Sequence, residues 1–94
     1  MGLGIYVLDR RGRQISYLPD DTECTARNAC TSAPPDSMRR GVMVHGDTTF
    51  NRLQLARLVE ELEALEAPSR VIDDILEAAR FARDRSYYLF IAGD

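Results

Sequence analysis

Apolar residues along SYYLFIAGD (86–94) leave an extended chain no polar side, since Tyr87, Leu89 and Ile91 interleave with Tyr88, Phe90 and Ala92. A strand of this kind expects cover on both faces. The opening of the chain repeats the pattern. GIYVL (4–8) sets Ile5 and Val7 against Tyr6 and Leu8, and QISYL (14–18) follows it after DRRGR, where Gly12 can take the positive φ of a tight turn. The two runs predict a β-hairpin that Pro19 ends. GVMVHG (41–46) reads as a third short strand, with Val42 and Val44 on one side and Met43 and His45 on the other.

The period then changes. In DTTFNRLQLARLVEELEALE, Leu55, Leu58, Val59, Leu62 and Leu65 recur at spacings of three and four, the apolar stripe of one helix. Asp47, Thr48 and Thr49 are its candidate N-caps. Glu60, Glu61, Glu63 and Glu66 fall mainly off the stripe and read as a solvated surface. Ala67–Pro68–Ser69 breaks the helix, because proline disfavours helical geometry in the residue before it. A second helix is predicted from about 69 to 85, with Val71 or Ile72, Ile75, Leu76, Ala79 and Ala82 as its stripe. Arg80, Arg83 and Arg85 gather near its C-terminus, where positive charge suits the helix dipole. Residues 19–40 show neither period and are expected to form an irregular loop, with ECTARNAC (23–30) the one place for a turn or two of helix.

This order, β-β-β-α-α-β, predicts an α+β fold in a single domain over 1–94: a hairpin (1–18), an irregular loop (19–40) and a β-α-α-β unit (41–94). A small mixed four-stranded sheet would carry an antiparallel helix pair on one face, with the third and fourth strands parallel across a crossover. The first and fourth strands are the most apolar and belong in the middle, giving the order 2-1-4-3. The helices cover one face. The other would expose Tyr6, Leu8, Tyr88 and Phe90, a candidate interface, or the alternate set if the register is reversed. Either a second molecule covers it or the 19–40 loop folds back over it.

Composition narrows the function classes. A chain of 94 residues, 45% hydrophobic and 29% charged, fits one soluble domain. The net charge of −3 lacks the basic stripe of a nucleic-acid binder. All twelve basic side chains are arginine, which reads as the codon usage of a GC-rich genome; the only adjacent pairs are Arg10–Arg11 and Arg39–Arg40. MGLGIYVLDRR has no basic region ahead of its short apolar run, Tyr6 stands where a myristoylation pattern wants Ser or Thr, and no apolar run approaches ~20 residues. The expectation is a cytoplasmic protein without membrane or nucleic-acid partners.

Candidate chemistry is sparse. Cys24 and Cys30 stand in a C-x5-C spacing that matches no familiar zinc arrangement, and a disulfide is disfavoured in a reducing compartment. Two thiols in short turns of the loop are the plainer reading. His45, the single imidazole, would have to serve any Cys or Ser nucleophile, and nothing in the pattern brings such groups together. Asn51 and Gln54 either read a ligand or partner or hydrogen-bond the neighbouring loop, and the second is preferred. Neither a glycine-rich phosphate loop, a nucleophile elbow nor an H-E-x-x-H pattern is present. No catalytic residue, metal ligand or cofactor is assigned.

Phe50–Asn51, Gln54, Leu58, Glu61–Leu62 and Leu65, followed by Tyr88, Phe90 and Gly93–Asp94, form an F-N-x-x-Q-L helix and an F-x-x-G-D terminus. Over about residues 41–94 this resembles small uncharacterised α+β proteins of GC-rich bacteria. The resemblance implies no activity and carries no catalytic residue. Small acidic proteins of this kind suggest an immunity-like or accessory role by analogy of size and charge. The functional expectation is an interaction or regulatory protein that binds a protein partner or itself. The alternative is a metal- or thiol-dependent protein built on Cys24, Cys30 and His45.

Overall fold

The computed structural model describes residues 2–66 and 69–93. The expected helix break at Ala67–Pro68 and the closing Asp94 lie outside the described residues. The elements are β1 (Gly4–Leu8), β2 (Gln14–Pro19), α1 (Thr25–Thr31), a single 3-10 turn (Arg39–Gly41), β3 (Asp47–Phe50), α2 (Arg52–Glu63), α3 (Arg70–Arg85) and β4 (Tyr88–Ala92). The four strands form one sheet in the order β2-β1-β4-β3, as the apolar character of β1 and β4 requires.

Every strand pair is antiparallel, so the sheet is not mixed. The reason is a count of reversals. One helix between two strands returns the chain for a parallel pairing, whereas α2 and α3 reverse it twice and deliver β4 running against β3. The third strand also lies further along than GVMVHG. Residues 43–46 make a turn, closed by the Gly46 amide donating to the Met43 carbonyl at 3.1 Å, and Met43 is 61% exposed. Strand pairing begins at Asp47, with β-branched Thr48 and Thr49 inside the strand rather than capping the helix. Register decides this. Phe50 must stand opposite Leu89 on the buried face, and a slip of one residue would turn it to solvent.

Asn51 is the cap of α2. Its side chain accepts the Gln54 amide at 3.0 Å, while Gln54 Oε1 accepts the Asn51 amide at 2.9 Å, a reciprocal capping box. Phe50 and Leu55, which flank the box at the positions of a hydrophobic staple, are both buried in the core. Ser69 caps α3 through the Ile72 amide. The stripes on the two helices pack as expected: Leu55, Leu58, Val59 and Leu62 face Ile72, Ile75, Ala79 and Ala82 in one cluster with Leu3, Ile5, Val7, Leu89 and Ile91.

The 19–40 segment is ordered by two aspartates. The Asp20 carboxylate accepts four backbone amides, from Leu3, Asp21, Ala26 and Arg27, at 2.9–3.3 Å. It thereby caps α1, whose own N-cap residue, Cys24, sits at φ 57 and offers no side-chain bond. Asp21 accepts the Thr25 hydroxyl and, at 2.8 Å, the Thr25 amide. Ala26 and Cys30 of α1, with Val42 beyond the 3-10 turn, join the cluster beneath the helices. The segment therefore packs on the helical side and does not fold back over the other face.

Glu61 is no solvated surface residue. It accepts the amides of Met38 and Arg39 at 2.6 and 3.2 Å and pairs with Arg39 Nε at 3.1 Å, both side chains mostly covered. Arg39 also donates to the Ala29 carbonyl, and Arg40 to that of Ala33. These bonds clamp the 3-10 turn to α2 and α1.

A methyl on Gly93 would lie 2.3 Å from the Val44 carbonyl oxygen, where the Gly93 amide already donates to Gly46 at 2.7 Å. Gly93→Ala should lower the unfolding free energy by about 1–3 kcal/mol, read as an earlier urea midpoint at unchanged slope. Acid should reveal Asp21. The Thr25 hydroxyl and amide hold its carboxyl below the ordinary 3.8, so its contribution is present above the unfolded value and disappears as pH falls through the lowered one. Denaturation curves of the wild type and Asp21→Asn, separate at neutral pH, should converge below pH 3.8.

Candidate interaction face

Because side chains alternate along a strand, burying Ile5, Val7, Leu89 and Ile91 under the helices turns their neighbours the other way. The registers arrange those neighbours in three rows across the sheet. One row reads Pro19, Gly4, Ala92 and Asp47; the middle row reads Tyr17, Tyr6, Phe90 and Thr49; the third reads Gln14, Leu8 and Tyr88. Tyr6, Leu8, Tyr88 and Phe90 thus share the face that carries no helix. Tyr17, which belongs with them, sits on a strand that is exposed but for the partly buried Leu18, so alternation alone did not single it out. The pairing of Tyr17 with Tyr6 does.

The rings form a layer of their own. Tyr6 stands 4.8 Å from Tyr17 and 5.9 Å from Phe90, centre to centre, both pairs tilted. Gly4 lies beneath this layer, where a Cβ would meet the Tyr6 and Tyr17 ring edges at 3.4 Å, about ordinary contact. Rings laid over a strand glycine shield backbone that has no side chain of its own. Tyr6, Leu8 and Phe90 are consequently half-buried, while Tyr17 remains 48% and Tyr88 37% exposed. Asp47, at one corner, is the single charged residue in the three rows.

The sheet edges are less inviting. β2 carries Pro19 at its end and a bulge at Ile15, since Val7 pairs with Ser16 and Leu8 with Gln14. β3 is four residues long and begins with Asp47. Prolines, bulges, charges and short lengths all discourage strand addition at an edge.

Cys24, Cys30 and His45 are not brought together as a set of metal ligands. Among the described residues, no group of three His, Cys, Asp or Glu could hold a metal ion. His45 lies exposed in the 43–46 turn, not on a strand. Cys30 is buried, and burial, assisted by the Asp20 and Glu61 carboxylates against the opposing Arg39, pushes its thiol up to about 11. A thiol so placed is a poor nucleophile at neutral pH. No described helix is long and apolar enough to cross a membrane.

Compared with known proteins, the chain matches no family model, no curated protein and no solved structure. Much of the F-N-x-x-Q-L and F-x-x-G-D pattern has a structural purpose in this chain: a capping box with its staple, and a glycine pressed against the 43–46 turn.

Native-state alkylation at mildly alkaline pH should modify Cys24 well ahead of Cys30, with Cys30 reacting only when denaturant opens the core. Mass spectrometry of the two peptides reads the order, and equal rates would contradict the burial of Cys30.

Proposed function

We propose that the protein is a non-catalytic interaction module and that a second copy of the chain covers its open sheet face. The observation that supports this is the middle row, Tyr17–Tyr6–Phe90–Thr49, an aromatic stripe without charge running across the whole sheet. Large contiguous apolar patches are uncommon on soluble monomers, and interface centres are depleted in charge and enriched in tyrosine and phenylalanine. A two-fold interface brings residues near its axis against their own copies, so charge at its centre would be self-repelling. Here the only charge sits at a corner. The blunted edges favour packing face to face over extension of the sheet.

Binding of a different protein, in an accessory or immunity-like role, is the other use the same face allows. A cytoplasmic location fits two free cysteines, because thiols persist in reducing compartments. Kinship with the small proteins of GC-rich bacteria belongs to this proposal and rests on the motif residues.

Light scattering at low micromolar concentration should give twice the chain mass of 10.6 kDa. Tyr17→Arg, at an exposed position, should weaken the dimer by tenfold or more, about 1.4 kcal/mol, and leave the circular dichroism unchanged. A strictly monomeric wild type would overturn the self-association.

A further inference from the structure

Beyond the sheet face, a cleft opens between the tip of the β1–β2 hairpin and the C-terminal end of α3. Asp9, Arg10, Arg11, Arg13, Arg85 and Tyr87 line it, and it is a wide-open depression of about 390 Å³. Four arginines and one aspartate contribute to its lining, in a chain whose net charge is −3, and Arg13 alone of the four pairs its guanidinium with the Asp9 carboxylate.

The carboxylate is already engaged. Asp9 accepts the amides of Arg13 and Arg11, both at 2.9 Å, and Arg13 Nε at 3.1 Å. The Arg13 amide above all holds its carboxyl below the ordinary range, so it serves the hairpin turn as an ion. Two of the arginines are oriented by contacts that leave most of their donors free. Arg10 Nη2 donates to the Arg85 carbonyl at 3.3 Å, one of five N–H donors used. The Arg85 guanidinium stacks on Phe81, its central carbon 3.9 Å from the ring centre, which occupies its face and spares its edge. Phe81 in turn packs edge-on against Tyr87, with centres 6.1 Å apart, and so steadies the wall of the cleft.

Each arginine alone has a bland explanation, as an exposed turn residue or a cation at a helix C-terminus. Their convergence does not. Arg10 and Arg85 come from elements 75 residues apart, and mutual repulsion opposes gathering four cations around one space. A planar fork of donors matches the paired oxygens of phosphate or carboxylate. We propose that this cleft binds a multiply charged oxyanion group of a small ligand, with Arg10, Arg11, Arg13 and Arg85 as donors and Tyr87 as its wall.

Isotope-labelled full-length protein can be titrated with inorganic pyrophosphate and, separately, with citrate, against chloride at equal ionic strength. Saturable shifts confined to the amides of residues 9–13 and 85–87 are expected with at least one of the two. Saturation by pyrophosphate alone assigns a phosphate ligand, and by citrate alone a polycarboxylate. Arg11→Gln and Arg85→Gln should each weaken binding about tenfold, as loss of a charge-assisted bond does, while Arg57→Gln on α2 leaves it unchanged. Shifts that follow ionic strength alone, spread over other arginines, or survive in the Arg10→Gln/Arg11→Gln double variant would overturn the site. Arg11 is exposed in the hairpin turn, so its variant keeps the test valid even if Arg85→Gln disturbs the packing of Phe81.

Discussion

Two central strands with apolar residues on both sides meet a single layer of helices, and the rest of the molecule follows from that imbalance. Ile5 and Val7 on β1 stand beside Ile91 and Leu89 on β4, and α2 and α3 bury this set almost completely. Each of the fully buried side chains contributes on the order of 1.5–3 kcal/mol over its exposed state, so the register that buries them outweighs alternatives. Once they point inward, the pleat sends Tyr6, Leu8, Phe90 and Tyr88 outward. The aromatic layer over Gly4 is the chain's own partial remedy, since rings that lean on one another remove some of their surface from water.

A second theme is the placement of carboxylates against backbone. Residues 20–42 contain little regular structure, and their amides need partners wherever water is excluded. Asp20 supplies four such partners and Glu61 two more, so an irregular stretch acquires fixed positions without a strand or long helix. Arg39 completes the arrangement by reaching from Glu61 to the end of α1. These groups explain why α1 and the 3-10 turn join the helical side of the sheet and leave its opposite face bare.

The two surfaces with potential function differ in chemistry. One is flat, aromatic and almost uncharged, suited to another protein surface. The other is an open cluster of arginines between the hairpin tip and the end of α3, proposed to take a small anion. Neither uses the residue types that first drew interest. Cys30 is packing, Cys24 occupies a left-handed helix-start position, and His45 belongs to an exposed turn.

Much of this architecture was legible in the chain. Alternation marked β1, β2 and β4, the three-four spacing marked α2 and α3, and their relative greasiness placed β1 and β4 in the middle, because periodicity is a direct record of which side must leave water. The same alternation placed Tyr6, Leu8, Tyr88 and Phe90 together. The sense of the β3–β4 pair, the start of β3 at Asp47 and the role of Asn51 were not legible. They depend on how many times the chain reverses and on which residue meets Leu89 across the sheet. Glu61 read as a solvated acid and Asp20 drew no notice within the 19–40 loop, because a carboxylate that gathers amides from distant residues leaves no period behind. By itself the sequence determined most of the elements, the stripe that each long helix buries and which strand residues share a face, since those follow from local spacing. Only the tertiary structure decided which strand face the helices cover, the direction of the strands, the partners of Asp20 and Glu61 and the approach of Arg10, Arg11 and Arg13 to Arg85, since each joins residues far apart in the chain whose approach no local pattern records.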